Sequence, residues 1–442
     1  MNLADTLNLG CLCTTLQPDL LQRELEGFPG MAQELAASRP HLFSATPVYV
    51  CADDYTVMER SVAALDRVSA LPGYQASVLH RAPEIASKAF GPRGAFMGYD
   101  FHLSAQGPRL IEINTNAGGA FLHAAATRAH RSCCEPMDRM FDAPGGQNGL
   151  ERAFIDMFRA EWRAQRGDAP LRSIAIVDDG PGQQYLAPEF ELAREMFLAH
   201  GIHAVVADPR QLQWRNGALW HPALPQGIPV DLVYNRLTDF DLSETHHANL
   251  REAYVSGATV VTPHPRAHAL HADKRNLVTL SDDVLLGAWD ASPADRALLR
   301  AVLLPTQLVT AANAGQLWAQ RRQLFFKPAT GYGSKAAYRG NKLTRRVWSE
   351  ILAGTFVAQA LALPSERLVD VAGVPTRLKL DIRAYAYGGQ IQLLAARTYS
   401  GQTTNFRTAG GGFSPVIVLP SLTDTRQLEC GDEAAASAIS RP

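Results

Sequence analysis

Residues 96–116 read FMGYDFHLSAQGPRLIEINTN. Apolar and polar residues alternate on both sides of Gln106-Gly107-Pro108, which predicts two strands, Phe96–Leu103 and Arg109–Ile113, joined by a turn. Alternation puts Leu110, Glu112 and Asn114 on one strand face and Ile111 and Ile113 on the other. A carboxylate and a carboxamide two residues apart make a compact pair of hard oxygen ligands. Mg²⁺ takes one or two such ligands from protein and fills its shell with water and phosphate oxygens. Asp100, on the preceding strand, could add a second carboxylate. A solvated strand face would show the same alternation.

Two downstream stretches carry related chemistry. Residues 324–335, LFFKPATGYGSK, predict a buried strand ending at Lys327 and then a loop with Gly331, Gly333 and Ser334. Such loops let backbone N–H groups close around phosphate oxygens, and the lysine adds a point charge. The Walker pattern is absent. Residues 377–397 predict a long antiparallel hairpin turning at Gly388-Gly389, with Lys379, Asp381 and Arg383 on one face. Arg383 and Arg397, with Asn405 nearby in sequence, could hold a phosphoryl group through paired N–H donors. Only six lysines occur in the chain, and five lie between 274 and 379. Where arginine is the default cation, the positions that keep lysine favour a compact ammonium.

The remaining sequence sets bounds. The chain has 442 residues, enough for about three structural units. Hydrophobic residues make up 46%, an ordinary share for a chain with a sizeable core. A formal net charge of -1 argues against a bulk nucleic-acid binder. No apolar run approaches the ~20 residues of a membrane helix, and the first residues lack the basic start of a secretory signal. Six cysteines, without paired C-x-x-C spacing, fit a reduced compartment and packed thiols. His264, His268 and His271 cluster in PHPRAHALHADK, where surface or loop histidines fit better than a zinc site.

Residues 1–90 read as mostly helical, 145–150 as a break before a helix from Glu151 to Gln165, and about 170–265 as a small α/β unit. In that unit the βαβ pattern is Ser173–Val177, Glu189–His200 and Ala204–Ala207. A hairpin follows at Asn216-Gly217 and then a strand at Asp231–Asn235. Asn235 and Arg236 end that strand, and Arg236 could take a substrate carboxylate as readily as a surface ion pair.

Taken together in chain order, these parts resemble the ATP-grasp superfamily. The parts are Glu112-x-Asn114, Lys274, Lys327 with its Gly-rich loop, Asp381-x-Arg383, Arg397, Asn405 and Gly410-Gly411. The acidic strands precede the lysines, an order similar to the circularly permuted ATP-grasp of eukaryotic-type glutathione synthetases. The resemblance spans roughly residues 95 to 415. It implies an α/β (α+β) ATP-grasp fold with an inserted substrate unit. The corresponding division is 1–150, a helical region with the metal-binding strands; 151–265, the substrate unit; 266–423, the nucleotide-binding region; and 424–442, a disordered tail.

The resemblance further implies ATP and Mg²⁺ as cofactors and ADP-forming amide synthesis through an acyl phosphate. Its partners are a small carboxylate and an amine, and a homodimer is compatible with it; the charge balance and apolar runs predict no nucleic-acid or membrane partner, and the missing signal with the need for ATP predicts a cytoplasmic location. By the same resemblance Glu112, Asn114 and Asp100 hold Mg²⁺, and Lys274 and Lys327 contact phosphates. Gly331, Gly333 and Ser334 form a cover, Gln359 meets adenine, and Asp381 belongs to the nucleotide site. Arg383 and Arg397 stabilise the transferring group, and Asn405 assists. The family's Gly-loop glutamate is missing here, so the metal count and the substrates are not carried over. A phosphotransferase and a non-catalytic nucleotide-binding module are the competing readings.

Overall fold

A computed structural model describes residues 2–25, 31–130, 146–331 and 336–420. Gly333 and Ser334, Cys133, Cys134 and Cys430, and the tail 424–442 lie outside these residues.

The largest sheet has seven strands drawn from both ends of the chain. They are β1 (Val48–Cys51), β2 (Met97–Ser104), β3 (Gly107–Asn114), β14 (Ser365–Val371), β15 (Val374–Tyr387), β16 (Gln390–Tyr399) and β17 (Gly412–Leu419). Their order is β1-β17-β16-β15-β2-β3, and β14 pairs with β15. All pairs are antiparallel except β1 with β17.

The alternation in β15 explains its two-sided burial. Ile382, Ala384 and Ala386 enter the core under the helix Ala52–Ser69, which buries Met58, Val62, Leu65 and Val68 at helical spacing. On the other face Tyr385 joins Phe96, Phe121, Phe154 and Phe158 in a second core. Toward β14 that second face turns from apolar to charged, at Arg383, Asp381 and Lys379.

A second, four-stranded antiparallel sheet holds β10 (Thr306–Leu308), β11 (Leu324–Pro328), β12 (Tyr338–Arg339) and β13 (Phe356–Ala360), in the order β10-β13-β11-β12. Trp348 and Phe326 anchor its own small core. A third sheet is parallel, in the order β5-β4-β8-β9, formed by β4 (Ser173–Val177), β5 (His203–Ala207), β8 (Leu232–Asn235) and β9 (Val260–Thr262). The helix Ala187–Ala199 crosses from β4 to β5. Between β5 and β8 lies the hairpin of β6 (Gln213–Arg215) and β7 (Ala218–Trp220), turning at Asn216-Gly217 with both residues at positive φ.

Three departures from the sequence reading have local causes. β1 has only four residues, too few to show a period inside a helical region. β17 carries Pro415, which weakens a strand reading, yet it pairs on both sides. The stretch at 145–150 reads as a break because of its glycines, but the helix already begins at Gly146.

Candidate active site

The site is built by strand register. Arg383 on β15 pairs with Asp100 on β2, and Asp100 pairs with Glu112 on β3. Asp381 pairs with Arg397 across β15 and β16. Four strands therefore carry one continuous row of charge.

Within that row the contacts are short. Arg383 Nε donates to Asp100 Oδ1 and its Nη2 to Asp100 Oδ2, both at 2.7 Å. Arg397 Nη2 reaches Asp100 Oδ2 at 3.0 Å, and its Nε donates to Asp381 Oδ1 at 2.6 Å. Thr404 donates its hydroxyl to the other Asp381 oxygen. Burial alone would push the Asp100 carboxyl up, but the two guanidinium groups hold it well below the usual carboxylate range. Burial works against the Arg397 charge as well, and Asp100 and Asp381 keep that charge firmly in place. Two arginines and two aspartates balance, so both guanidinium groups are held rigid without a net charge left over.

Against this row lies a cleft enclosing about 1070 Å³, its open mouth included. Asp100, Glu112, Asn114, Lys274, Lys327, Gly331, Gln359, Asp381 and Arg397 all border it. Lys274 donates Nζ to Gly331 O at 3.1 Å, tying the start of the Gly-rich loop to the helix Arg275–Leu280. Lys327 donates to Ile111 O and to Gln359 Oε1, both at 2.9 Å. Burial lowers the Lys327 ammonium to about 8, against the pull of Glu112. The Glu112 carboxyl is raised by burial but pulled lower overall by Lys274 and Lys327. Leu304, Ile111, Phe325, Leu361 and Leu363 supply an apolar wall.

The predicted residues do not all arrive in the same place. Arg383 stands one layer behind the cleft, bound to Asp100. Asp100 itself is occupied: four N–H groups, from Arg383, Arg397 and Asn114, already point at its two oxygens. It positions the arginines, and the pair left open for a cation is Glu112 with Asn114, whose side chains meet at 3.4 Å.

Asn405 does not border the cleft. Its amide donates to Ser400 O, and its oxygen accepts from Arg407 N and Thr408 Oγ1, so it folds the loop after β16. Asn235 is likewise taken up by the backbone, donating to Pro263 O and accepting from Leu237 N. Arg236 is buried away from the cleft, 3.7 Å from Glu189, with its Nη1 on Tyr234 Oη and its Nε without a partner. Of the clustered histidines only His264 is buried, and it caps the helix Pro265–His271; His268 and His271 are half-buried, and His268 meets Thr115.

Other cleft residues were not singled out as site residues in the sequence. His102 faces the cleft with its Nδ1 against Ala362 O at 2.9 Å, and burial lowers its basicity. Lys379 donates to Gly401 O. Tyr399 and the segment 402–404 close the same side. Only the alternation Lys379, Asp381, Arg383 signalled any of them.

The residues fit a nucleotide with its metal. Gln359 borders the cleft and its buried Nε2 has no partner, so a donor is free for a ligand acceptor. Glu112 and Asn114 supply the hard oxygens that Mg²⁺ takes.

Among solved structures, a glutathione synthetase-like effector from Globodera pallida, in its apo form, superposes with a TM-score of 0.53 at 11% identity, covering 91% of this chain and 98% of that one. This chain has a glutathione synthetase-like ATP-grasp fold. A gamma-glutamylcysteine synthetase candidate from Methylobacillus flagellatus gives a TM-score of 0.45 at 9% identity, over 82% of this chain and 87% of that one. The ATP-grasp ligase PsnB with a minimal precursor, Mg and ADP gives 0.28 at 14% identity, over 56% and 88%. No protein-family model matches the chain, and no curated relative matches it. Among the described residues no helix is long and apolar enough to cross a membrane.

Proposed function

We propose that the chain is an ATP-dependent ligase that joins a small carboxylate to an amine and releases ADP. One observation carries this reading: Glu112, Asp100, Arg397 and Asp381 line one wall of the cleft that Lys274 and Lys327 also enter, with Arg383 behind them on Asp100. The order of parts supports it, since β2 and β3 precede the lysine strand β11.

Setting a carboxylate against a triphosphate opposes two anions. Lys274, Lys327 and Lys379 answer that charge where, among the described residues bordering the cleft, Glu112 is the only carboxylate without an arginine. Glu112 and Asn114 would hold Mg²⁺, which neutralises phosphate oxygens. Arg397, pinned between two aspartates, presents its charge without reorganising. The carboxylate oxygen bonds to the γ-phosphorus as the bond to ADP breaks. The amine nitrogen then bonds to the acyl carbon as phosphate leaves, and the amine gives up a proton. The apolar wall keeps out water, which would hydrolyse the acyl phosphate. Dependence on ATP assigns the protein to the cytoplasm in this reading.

The test is ADP release from Mg²⁺-ATP with a panel of carboxylates, each with and without a pool of amino acids and polyamines. Release that needs both an acid and an amine, and that Glu112→Gln loses, is the expected result. Release with an acceptor alone, yielding a stable phosphorylated product, would replace the ligase with a phosphotransferase.

A further inference from the structure

In the parallel sheet the chain passes from β4 to β5 on one side and later to β8 on the other. The β4/β8 boundary is thus a topological switch point, where the carboxyl ends of parallel strands bind ligands. Asp179 follows β4, and Asp239, His246 and His247 follow β8. His246 Nε2 lies 2.7 Å and His247 Nε2 lies 3.1 Å from the same oxygen, Asp179 Oδ1. On its other side His247 Nδ1 is 2.7 Å from Asp239 Oδ2. None of these residues borders the cleft described above.

His247 is the informative residue. Its side chain is fully buried, and both ring nitrogens face carboxylate oxygens. A neutral imidazole carries one N–H, so only one of these contacts can be a hydrogen bond. The other would set a lone pair against an anion unless a second proton or a metal ion lies between them. A cation on the Nε2 side removes the conflict. Nδ1–H then donates to Asp239, which Glu244 N and Ser243 Oγ hold at 2.8 and 3.0 Å. A carboxylate behind a histidine is the usual support of a metal-ligating imidazole.

We propose that Asp179, His246 and His247 bind a divalent transition-metal ion of the Zn²⁺ class, with Asp239 as a positioning residue. Two imidazole nitrogens and one carboxylate oxygen suit zinc better than Mg²⁺ or Ca²⁺. The three ligand atoms lie within 4.8 Å of one another. A tetrahedral ion with legs of ~2.1 Å spaces its ligands about 3.4 Å apart, so the two contacts to Asp179 need widen only slightly. Asp179 and His246 are 39% and 26% exposed, which leaves the fourth position open to water or a ligand. Arg210 Nη1 lies 3.9 Å from Asp179 Oδ1, but Asp208 holds it at 3.1 Å and answers its charge.

The full-length protein, stripped with chelator and free of nucleotide and Mg²⁺, is titrated with ZnCl₂ by calorimetry and with CoCl₂ by visible absorption. One equivalent of Zn²⁺ and a four-coordinate Co²⁺ spectrum that Zn²⁺ displaces are expected. His246→Ala and Asp179→Asn should each weaken binding more than about 100-fold, and Asp239→Asn about 10–100-fold. Glu112→Gln should leave it unchanged. The absence of a saturable equivalent in the unaltered protein overturns the site, whether or not the variants fold. A thiolate-to-cobalt charge-transfer band, or affinity unchanged in both His246→Ala and Asp179→Asn, overturns it as well.

Discussion

Arg383 shows how one residue can serve chemistry and folding together. Its guanidinium is buried and makes two parallel bonds to Asp100. It does not reach the cleft, so it acts by holding Asp100, and through it Arg397, in place. Breaking a buried pair costs about 3–5 kcal/mol, softened here because Arg397 stays on Asp100. Arg383→Ala should therefore lose most ADP release and also unfold at lower urea. Near-normal turnover in a folded variant would remove Arg383 from the machinery.

Lys327 gives a pH test. Burial sets its ammonium at about 8, below the ordinary ~10.4. The charged form is present below about 8 and is lost above it. ATP affinity should fall as pH rises through that value, and Lys327→Met should flatten the profile. For stability the sign is opposite. Between that value and the ordinary one the unfolded chain binds more protons, so this group adds stability as pH rises.

At the scale of elements, register assembles the cleft. Shifting β15 by one residue against β2 would turn Arg383 and Asp381 into the core face and Ile382 out of it. The apolar set Ile382, Ala384 and Ala386 locks the strand against that slip. Gly119, at the start of the helix Ala120–Ala129, shows how tightly the neighbouring element is fitted. Its φ is 100°, its N–H meets the Glu189 carboxylate, and an added Cβ would lie 2.2 Å from Phe413 Cζ. Gly119→Ala should cost about 2–4 kcal/mol, read from the urea midpoint. Gly167 also has a positive φ, 61°, but faces open space. Gly167→Ala should cost only about 1 kcal/mol, so the difference isolates the steric part.

Across the whole molecule the cleft joins two sheets, so ligand binding should stabilise both. Saturating Mg²⁺-ATP at about 100 times its Kd adds roughly 2.7 kcal/mol. A clear rise in Tm is expected for the unaltered protein, with little rise for Glu112→Gln at the same concentration. Equal rises would place the nucleotide away from Glu112. Much of this architecture is legible in the sequence. The paired strands around Gln106-Gly107-Pro108, the βαβ unit from Ser173 and the hairpin at Gly388-Gly389 follow from alternation and turn residues, which are local signals. The cleft residues Glu112, Lys327 and Asp381 stand out for the same reason, as charged side chains at strand ends and on alternating faces, whereas Lys274, at the start of a helix, stands out through the resemblance.

Partnership is another matter. That Asp100 holds two arginines, that Asn405 folds its own loop, and that Arg236 is buried beside Glu189 depend on contacts no local pattern encodes. Arg383 and Asp100 are 283 residues apart. Asp179 meets His246 and His247 only because parallel strands end side by side. The sequence by itself determined most of the longer strands and which of their faces carry charge, because periodicity acts over a few residues. Only the tertiary structure decided which charges neutralise one another and which stay open to a ligand, because those choices rest on register between distant strands.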